Sequence, residues 1–439
     1  MGIALQKLFA PSRFCSRPVG FPLAVLVLAL LTRGGVLLLT PNALQADPDG
    51  YWRLAENLVE HGTFGEGSAP TAFRPPLYPV VLTGCVAAGD WRRAAIGALH
   101  VVLGVATVGL VLVLGQWWGL GRCGAALAAL LVACDPILLS QSTQVMTETT
   151  AAFLAVLGLL SLAWMRRRPT SCRALLAGAT LATGALCRPT LLLWAVAVGV
   201  MLLWQAWSTP KNNLRRSSGR RRTVAGGVAK GLRLPIAFAL GAVFVLSPWA
   251  VRNQLQLGRP IVTTTHGGYT FLLANNPSFY EWLRDGQWGS VWPANEFNAD
   301  WDRRKPHDEL RADRLAYAEA ERNIYRKPGA FVGACLVRIG RFWSPLPHRV
   351  IVVGGPRPRL MRYAVALWYT MEFLLAAAGV WIVFHRKERS AWMEALLLVA
   401  CLAAVHAFFW TNMRMRAPVM PVVAMAAAVA WRRLRRNRR

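Results

Sequence analysis

Hydrophobic residues of this chain form long runs that are separated by short polar or basic segments. The first run covers residues 21–40, and nine more follow along the 439 residues. A helix needs about 20 apolar residues to cross the hydrocarbon core of a bilayer, and most of the runs reach or approach that length. The pattern predicts an all-α polytopic membrane protein with about ten transmembrane helices. They are expected at roughly 21–40, 94–115, 122–140, 148–164, 172–188, 190–207, 234–251, 363–384, 391–411 and 416–431.

Lys and Arg residues predict how the chain is oriented. Cytoplasmic loops of membrane proteins collect basic residues, and the basic tracts here fall on one side under a single alternation of the ten runs. We therefore expect both termini in the cytoplasm and the protein in the plasma (inner) membrane. A cleaved signal peptide fits the first run less well, because the run is long and Arg33 interrupts it. The tracts contain Lys7, Arg13 and Arg17, residues 166–168, residues 211–233 and residues 432–439.

Two long segments fall on the extracytoplasmic side under the same alternation. Residues 41–93 form the first loop, which contains a predicted amphipathic helix over residues 49–60. Residues 252–362 form the second and larger loop. Its apolar stretch at 331–342 is interrupted by arginines, which favours a helix at the membrane interface over one that spans. We treat residues 1–439 as a single polytopic domain that carries both loops.

The strongly basic composition could indicate a nucleic-acid-binding protein or the cytoplasmic loops of a membrane protein. The positions of the basic residues decide between the two. The chain holds 50 Lys+Arg against 21 Asp+Glu, which gives a formal net charge of +29. A nucleic-acid module would spread such charge over one face with stacking aromatic residues, whereas here it lies in tracts between apolar runs. Nucleic acid is therefore not an expected partner. The eight cysteines have no metal-type spacing and predict no disulfide framework.

Three carboxylates lie at predicted outer ends of spans. Asp47 and Asp49 follow the first run, and Glu148 begins the fourth. An enzyme acting on a lipid-linked substrate needs its base at this boundary, where partial desolvation raises the pKa of a carboxyl group. Asp47 before Pro48 also fits a helix N-cap, and the helix dipole alone favours Glu148 in a first turn. Both interpretations stay open, and Asp49 competes with Asp47 for either role.

Several arginines on the predicted outer side run against the usual charge bias. A phosphate or pyrophosphate leaving group would account for them, because the guanidinium fork matches phosphate oxygens. The alternative is contact with anionic headgroups or pairing with loop carboxylates. The candidates are Arg74, Arg188, Arg252, Arg414 and Arg416.

The start of the large loop holds the remaining polar candidates. His266 precedes the pair Gly267-Gly268 and could bind phosphate, a sugar or a metal. A lone loop histidine is more often only solvated, and no second histidine lies at ligand spacing. Tryptophans of the same loop could stack on sugar rings or act as interfacial anchors. They are Trp282, Trp288, Trp292 and Trp301.

The order and spacing of short motifs along most of the chain identify a family resemblance. The motifs are Asp47, Tyr51, Ala55 and Asn57-Leu58, the Gly-Thr-Phe-Gly turn at 62–65, Arg74-Pro75-Pro76-Leu77-Tyr78-Pro79, Thr147-Glu148, Arg188-Pro189-Thr190, Pro248-Trp249 with Arg252-Asn253, Gly267-Gly268, Asn275-Asn276-Pro277, and Arg414, Arg416 and Pro418. The chain resembles bacterial members of the C-type glycosyltransferase superfamily. It is similar to the branch related to dolichyl-phosphate-mannose protein mannosyltransferases and undecaprenyl-phosphate aminoarabinose transferases.

The resemblance implies a membrane bundle of that type and a specific reaction. A hexosyl or pentosyl unit would pass from a polyprenyl-phosphate donor to a lipid, glycan or protein acceptor on the extracytoplasmic face, with inversion at the anomeric carbon. The family's catalytic carboxylate falls on Asp47, as general base, and its second-loop acidic position falls on Glu148. The arginines and His266 would contact the phosphate. We count Tyr78, Asn253 and Asn275 as further substrate-binding candidates. No cofactor is expected, and a divalent cation stays open.

A transporter or flippase of a lipid-linked or anionic solute is the alternative function. It would place ionisable residues in the middle of the membrane and use broken helices and repeat symmetry. Candidates for such residues are few, and the stronger charge clusters lie at predicted outer helix ends, which favours an enzyme. The mid-membrane candidates are Arg33, His100, Glu372 and His406.

Overall fold

A computed structural model describes residues 20–40, 42–208, 224–286, 288–348, 356–385 and 389–437. Within these ranges, helices account for nearly all regular structure, and the one sheet is a two-residue hairpin of β1 (Gly65–Glu66) and β2 (Ala69–Pro70). The α-helices are α1 (Gly20–Leu39), α2 (Tyr51–His61), α3 (Leu77–Val86), α4 (Arg92–Trp117), α5 (Gly121–Ala133), α6 (Pro136–Ser142), α7 (Glu148–Arg167), α8 (Ser171–Cys187), α9 (Thr190–Ser208), α10 (Val224–Leu257), α11 (Gly267–Ala274), α12 (Pro277–Arg284), α13 (Asn295–Arg304), α14 (Glu309–Arg326), α15 (Pro328–Phe342), α16 (Pro356–Phe384), α17 (Arg389–Phe408) and α18 (Met420–Asn437).

The apolar helices agree with the predicted spans. Among the described residues, eight helical stretches are long and apolar enough to cross a membrane, and the pair α5–α6, bent by 49°, makes up to nine. Helix α8 corresponds to the fifth predicted run, at 172–188, and is shorter, at 17 residues. Each run predicted from the sequence therefore coincides with a helix or a bent helix pair. The prediction of an all-α, multi-pass membrane protein is confirmed.

The break between α5 and α6 lies inside one predicted span, and side chains of α1 and of the break itself satisfy its backbone. Arg33 on α1 is buried and donates from Nη1 and Nη2 to the carbonyl oxygens of Ala133 and Val132, both at 3.3 Å. The Asp135 carboxylate accepts from the backbone N–H of Leu138 at 2.8 Å. A backbone polar group left unpaired in hydrocarbon costs several kcal/mol, so these contacts make the broken span tolerable.

Helices α8 and α10 pack closely through two glycines. A Cβ at Gly178 would overlap the carbonyl oxygen of Phe238, and one at Gly241 would overlap that of Leu175. Small residues allow membrane helices to approach with their backbones nearly in contact, where dispersion forces are strongest. This reciprocal contact fixes the position of α10, which leads into the large loop.

The two long loops meet at one end of the bundle, which we call the loop face (residues 42–91 and 258–348). Helix α2 matches the amphipathic helix predicted over residues 49–60. Helix α15 exposes an apolar stripe of Val332, Leu336 and Ile339, which fits the interfacial helix predicted there. Four points where spans end or connect contribute residues to this face: the α1–α2 connection, the start of α7, the α8–α9 junction and the 3₁₀ helix Met413–Val419 before α18.

Candidate active site

Oppositely charged side chains from distant parts of the chain form a continuous row on the loop face. Arg74 Nη2 lies 3.2 Å from Asp49 Oδ1, and Arg414 Nη2 lies 3.8 Å from Asp49 Oδ2. Arg414 Nε lies 3.6 Å from Glu148 Oε1, which also lies 3.1 Å from Arg188 Nη1. We call these five residues the charge row. Three cations alternate with two carboxylates, so the row keeps an excess of positive charge.

The inner end of the charge row is buried. The Glu148 side chain is 1% exposed and that of Arg188 is 10% exposed. Arg188 also contacts Thr147 Oγ1 at 3.5 Å and the sulfur of Met415. A buried carboxylate requires a partner cation, because desolvation is repaid only by close ion pairing and hydrogen bonding. Glu148 therefore depends on the two arginines beside it.

The outer end of the row opens into a cavity of about 1010 Å³. We call it the carboxylate cavity. Asp47, Asp49 and Arg74 of the first loop line it. The large loop also lines it, with His266, Tyr269, Asn298, Trp301, Asp302 and Asp313. The cavity thus brings carboxylates, guanidinium groups and aromatic rings to one space large enough for a sugar and a phosphate.

Asp47 both caps a helix and faces the cavity. Its Oδ1 accepts from the backbone N–H of Tyr51 at 2.8 Å, and its Oδ2 accepts from those of Trp52 and Arg53 at 2.9 and 3.1 Å. Burial raises the pKa of Asp47, while these three hydrogen bonds act in the opposite direction. A carboxylate offers about four lone-pair positions. One position on Oδ1 therefore stays available, so the cap and a proton acceptor are compatible in the same residue.

His266 is held in one tautomer by its neighbour. Arg74 Nη1 lies 3.2 Å from His266 Nε2, and since a guanidinium can only donate, Nε2 accepts and the proton resides on Nδ1. Burial first, and then the charge of Arg74, lowers the pKa of His266 well below its usual value. Nδ1 is buried and has no hydrogen-bond partner among the described residues. A neutral imidazole with an unused N–H donor therefore lies at the cavity.

Glu309 at the start of α14 joins the two loops beneath the cavity. Its carboxylate accepts from the backbone N–H of Ala72 at 3.0 Å and from the hydroxyl groups of Thr71 and Thr265. The backbone N–H of Thr265 in turn donates to the carbonyl oxygen of Ala72 at 3.0 Å. Arg74 and His266 each follow one of these segments. Glu309 therefore fixes their separation, although no motif in the sequence singled it out.

Replacing Glu309 by Ala should release the two loops from each other. Hydrogen bonds to a charged group contribute about 1.5–3 kcal/mol each, and three would be lost. We expect amide hydrogen exchange at residues 71–74 and 263–266 to accelerate at least about tenfold in purified protein. Glu321→Ala, an exposed position on the same helix, serves as the control. Equal exchange in Glu309→Ala and in the control would contradict the clamping role.

Two predicted site residues use their polar atoms within the fold. Tyr78 is fully buried, and its hydroxyl lies 2.8 Å from His100 Nε2. Asn275 is also fully buried, and its Nδ2 donates to the carbonyl oxygens of Phe271 and Phe408 at 2.9 and 3.0 Å. The structure places both residues outside the lining of the carboxylate cavity.

Three more predicted residues also contact the protein backbone. Arg252 donates to the carbonyl oxygens of Thr71 and Phe64 at 2.7 and 2.8 Å. Asn253 donates to the carbonyl oxygen of Ile261 at 2.8 Å. Arg416 donates to those of Phe342 and Ser344 at 3.0 and 2.6 Å. These side chains support the loops that carry the site, and none lines the carboxylate cavity.

The glycine pair after His266 is explained by helix packing. A Cβ at Gly268 would overlap the carbonyl oxygen of Asp313, and one at Gly267 would overlap the hydroxyl of Tyr317. The Asp313 carboxylate also accepts from the backbone N–H of Gly268 at 2.7 Å. The glycines therefore let α11 approach α14 closely.

The described residues contain no group of three or more His, Cys, Asp or Glu side chains placed to hold a metal ion. The cationic side chains that line the carboxylate cavity are those of Arg53, Arg74 and Lys305.

Comparison with known proteins supports a family relationship. Residues 92–257 match the family model "Dolichyl-phosphate-mannose-protein mannosyltransferase". This segment contains Glu148 and Arg188 of the charge row. No curated protein matches the chain significantly.

Solved structures give a distant likeness. ArnT from Cupriavidus metallidurans bound to undecaprenyl phosphate is 14% identical, with a TM-score of 0.36, over 96% of this chain and 79% of that one. The apo state of the same protein gives 14% identity and a TM-score of 0.36 over 94% and 77%. The family match confirms the resemblance over residues 92–257, which include the motifs Thr147-Glu148, Arg188-Pro189-Thr190 and Pro248-Trp249 with Arg252-Asn253, and it supports a membrane glycosyltransferase.

Proposed function

We propose that the protein transfers a hexosyl or pentosyl unit from a polyprenyl-phosphate sugar to an acceptor, with inversion at the anomeric carbon. The reaction would take place at the loop face, on the extracytoplasmic side of the plasma membrane, with both termini in the cytoplasm. The family match over residues 92–257 supports the class of reaction. The distribution of basic tracts supports the orientation.

The charge row beside the carboxylate cavity is the observation that carries the proposal. Arg74 and Arg414 both contact Asp49, at 3.2 and 3.8 Å, and Asp49 and Arg74 line the cavity. A donor phosphate entering here can replace the carboxylate as the partner of either guanidinium. Preorganised cations that meet developing negative charge are a large source of catalysis in a site shielded from water.

Bond making and breaking would be divided between the two ends of the cavity. The acceptor oxygen forms a bond to the anomeric carbon while the bond from that carbon to the phosphate oxygen breaks. The electron pair leaves with the polyprenyl phosphate, whose charge Arg74 and Arg414 stabilise. His266 Nε2, 3.2 Å from Arg74 Nη1, would keep that guanidinium oriented toward the phosphate.

Asp47 would accept the proton of the acceptor hydroxyl. Its Oδ1 keeps a free lone-pair position, and burial raises its pKa, which makes it a better base than an exposed aspartate. Asp49 is already engaged by two guanidinium groups and is better placed to orient them. Glu148, buried at the inner end, would hold Arg188 and Arg414 in position.

The proposal is tested by transfer with purified protein in vesicles. Polyprenyl-phosphate sugars carrying different radiolabelled hexoses and pentoses are supplied, and lipid, glycan and protein fractions are analysed for label. We expect label to leave the polyprenyl fraction and enter one acceptor fraction. Movement of the labelled lipid across the bilayer without any transfer product would instead support a flippase and overturn the proposal.

A further inference from the structure

A small pocket lies at the end of the bundle opposite to the loop face. Its volume is about 290 Å³, and its described lining residues come from the end of α4, the last turns of α7 and the start of α17. The other ends of these helices reach the loop face. Helix α7 begins at Glu148 of the charge row, and α17 ends at Phe408, whose carbonyl oxygen accepts from Asn275 of the large loop. We call it the distal pocket, and the mechanism described above does not use it.

The polar wall of the distal pocket carries more cations than carboxylates. Arg166 and Arg167 line it together with Glu394, the one carboxylate among its described lining residues. Arg166 pairs through Nε with Oε1 of Glu394. The Glu394 side chain is 3% exposed, whereas that of Arg166 keeps 26% exposure. The ion pair therefore buries the carboxylate and leaves part of the guanidinium accessible.

Arg167 has no ion-pair partner among the described residues. It is exposed, and its guanidinium carbon lies 4.2 Å from the ring centre of Trp117, which also lines the pocket. Nearby, Arg432 of α18 donates to the carbonyl oxygen of Gly119, which follows the lining residue Trp118. Three guanidinium groups thus lie in or beside the pocket with one carboxylate, so its surroundings keep an excess of positive charge.

Arginine–tryptophan pairs mark the level of this end in the membrane. The guanidinium carbon of Arg173 lies 4.3 Å from the ring centre of Trp164, and that of Arg435 lies 5.4 Å from the ring centre of Trp431. Tryptophan rings concentrate at the level of lipid headgroups, and arginine side chains extend to the same layer. The distal pocket therefore opens at the height of the headgroups.

The remaining wall of the pocket is apolar. Leu159 and Ala163 of α7 and Trp118 of α4 contribute to it, and Trp118 packs against Trp392 with ring centres 4.8 Å apart. Pockets for small molecules usually measure roughly 300–1,000 Å³, so this one suits a headgroup rather than a large solute. Basic pockets between membrane helices on the cytoplasmic side bind anionic lipid headgroups.

A lipid suits this position better than a soluble anion. A phospholipid already lies in the layer that the pocket faces, so its binding costs less translational freedom than capture of a solute from water. Under the orientation proposed above, this end lies in the cytoplasmic leaflet, which is the leaflet with a negative surface potential. Both the charge and the place of the pocket therefore favour an anionic phospholipid.

We propose that the distal pocket binds the headgroup of an anionic phospholipid such as phosphatidylglycerol. Its phosphate would contact Arg167 and the accessible part of Arg166, and the first carbons of its chains would lie beside Leu159 and Ala163. The bound lipid would join the ends of α4, α7 and α17, and so stabilise the folded bundle. The inference does not rest on the proposed function, because sugar transfer plays no part in it.

Binding is tested with the full chain purified in a neutral detergent. Phosphatidylglycerol and phosphatidylcholine with the same acyl chains are titrated in, and native mass spectrometry counts the lipids retained on each protein molecule. We expect phosphatidylglycerol to be retained at a concentration at least about tenfold lower, because phosphatidylcholine carries no net charge. Glycerol 3-phosphate is added in a parallel series. If it displaces the lipid at equal concentration, the site serves soluble anions and the proposal is overturned.

Two variants of the pocket and a matched control make the test specific. Arg167→Gln should weaken phosphatidylglycerol binding at least about tenfold, because it removes a charged phosphate contact. Ala163→Leu keeps every charge and adds a larger side chain to the pocket wall, so it should weaken binding as well. Arg173→Gln is the control, since Arg173 also pairs with a tryptophan at this end but does not line the pocket. Unchanged binding in both pocket variants would contradict the site.

Glu394→Gln gives an effect of opposite sign. Without the carboxylate, Arg166 is left with its charge uncompensated, and a phosphate can take the place of the lost partner. Phosphatidylglycerol binding should therefore become at least about threefold tighter, whereas an ion pair with a purely structural role would give no gain. Weaker binding in a variant with an unchanged helical circular dichroism spectrum would show that Arg166 does not meet the phosphate.

Thermal unfolding in nanodiscs provides an independent measurement. A ligand that binds only the folded state raises the melting temperature as its concentration increases. The melting temperature of the wild type should therefore rise with the fraction of phosphatidylglycerol, and Arg167→Gln should lose this rise while Arg173→Gln keeps it. An equal rise in all three proteins would indicate a general effect of the bilayer and overturn the proposal. No readout involves sugar transfer, so failure of the proposed function would leave these results unchanged.

Discussion

Asp47→Asn is expected to lower sugar transfer by at least about a hundredfold, while insertion and donor binding stay normal. A positioned general base contributes about two to four orders of magnitude in rate. Asparagine is also a good capping residue, so the amide can keep part of the contact with the first turn of α2. The substitution therefore separates the two roles that one carboxylate combines. Steady-state transfer rates and donor-lipid binding are the measurements.

The pH profile provides a second readout for the same variant. A base must be deprotonated, so wild-type transfer should fall as the pH drops through the pKa of Asp47, which burial raises above its usual value. Asp47→Asn should lose this acid limb. Asp90→Asn, an exposed position in the same loop, is the matched control. Near-normal turnover in Asp47→Asn would sink the assignment of Asp47 as the base.

Glu148→Gln is expected to destabilise the protein by about 3–5 kcal/mol. Removing one member of a buried ion pair leaves the other charge without compensation. Here Arg188, 3.1 Å from Glu148, would lose its partner, and Arg414 at 3.6 Å would add repulsion. Unfolding by denaturant or heat in detergent, followed by helical circular dichroism, measures the change. Transfer should fall as well, since Arg414 loses its inner support.

A double variant distinguishes the loss of the Glu148–Arg188 ion pair from other effects of substituting Glu148. Glu148→Gln combined with Arg188→Met removes both buried charges and should recover part of the stability, although not the transfer activity. Glu321→Gln, exposed on α14, is the control for a simple change of charge. Stability of Glu148→Gln equal to that of the control would show that the buried pair contributes little.

Hydropathy was sufficient to locate the helices because the bilayer forces each apolar run into a helix. All ten predicted runs coincide with helices, including the bent pair α5–α6. The bend itself was not predicted, because the sequence around Asp135 and Pro136 reads as apolar on both sides. The contact that makes it tolerable comes from Arg33, about 100 positions earlier in the chain.

The sequence predicted which residues belong to the candidate site better than it predicted which of them contact each other. The alternation of spans placed Asp49, Glu148 and Arg414 on one side, and the structure joins them into a row. Which carboxylate meets which guanidinium depends on packing between elements far apart in the chain. Glu309 shows the limit most clearly, since it begins an ordinary charged helix and its role follows only from contacts with Thr71 and Thr265.

Sequence motifs also pointed to residues whose polar atoms the fold uses. Tyr78 lies in the Pro-rich motif that resembles the family, yet its hydroxyl contacts His100 on α4. Arg252 donates to carbonyl oxygens at Thr71 and Phe64. A sequence motif can contain residues that contact a substrate and residues that stabilise the fold. Only the direction in which each side chain points distinguishes the two kinds. The mechanism proposed above does not require Tyr78 or Arg252 to contact the substrate.

The contact between Arg33 and the end of α5 constrains the order in which the protein can be assembled. The donor belongs to the first span and the acceptors, Val132 and Ala133, belong to the third, so neither is satisfied in hydrocarbon without the other. During synthesis, the first span must therefore stay beside the insertion machinery until the third has emerged. Membrane integration of this chain is then cooperative from its first helices, because Arg33 of the first span and the carbonyl groups of the third are satisfied by each other.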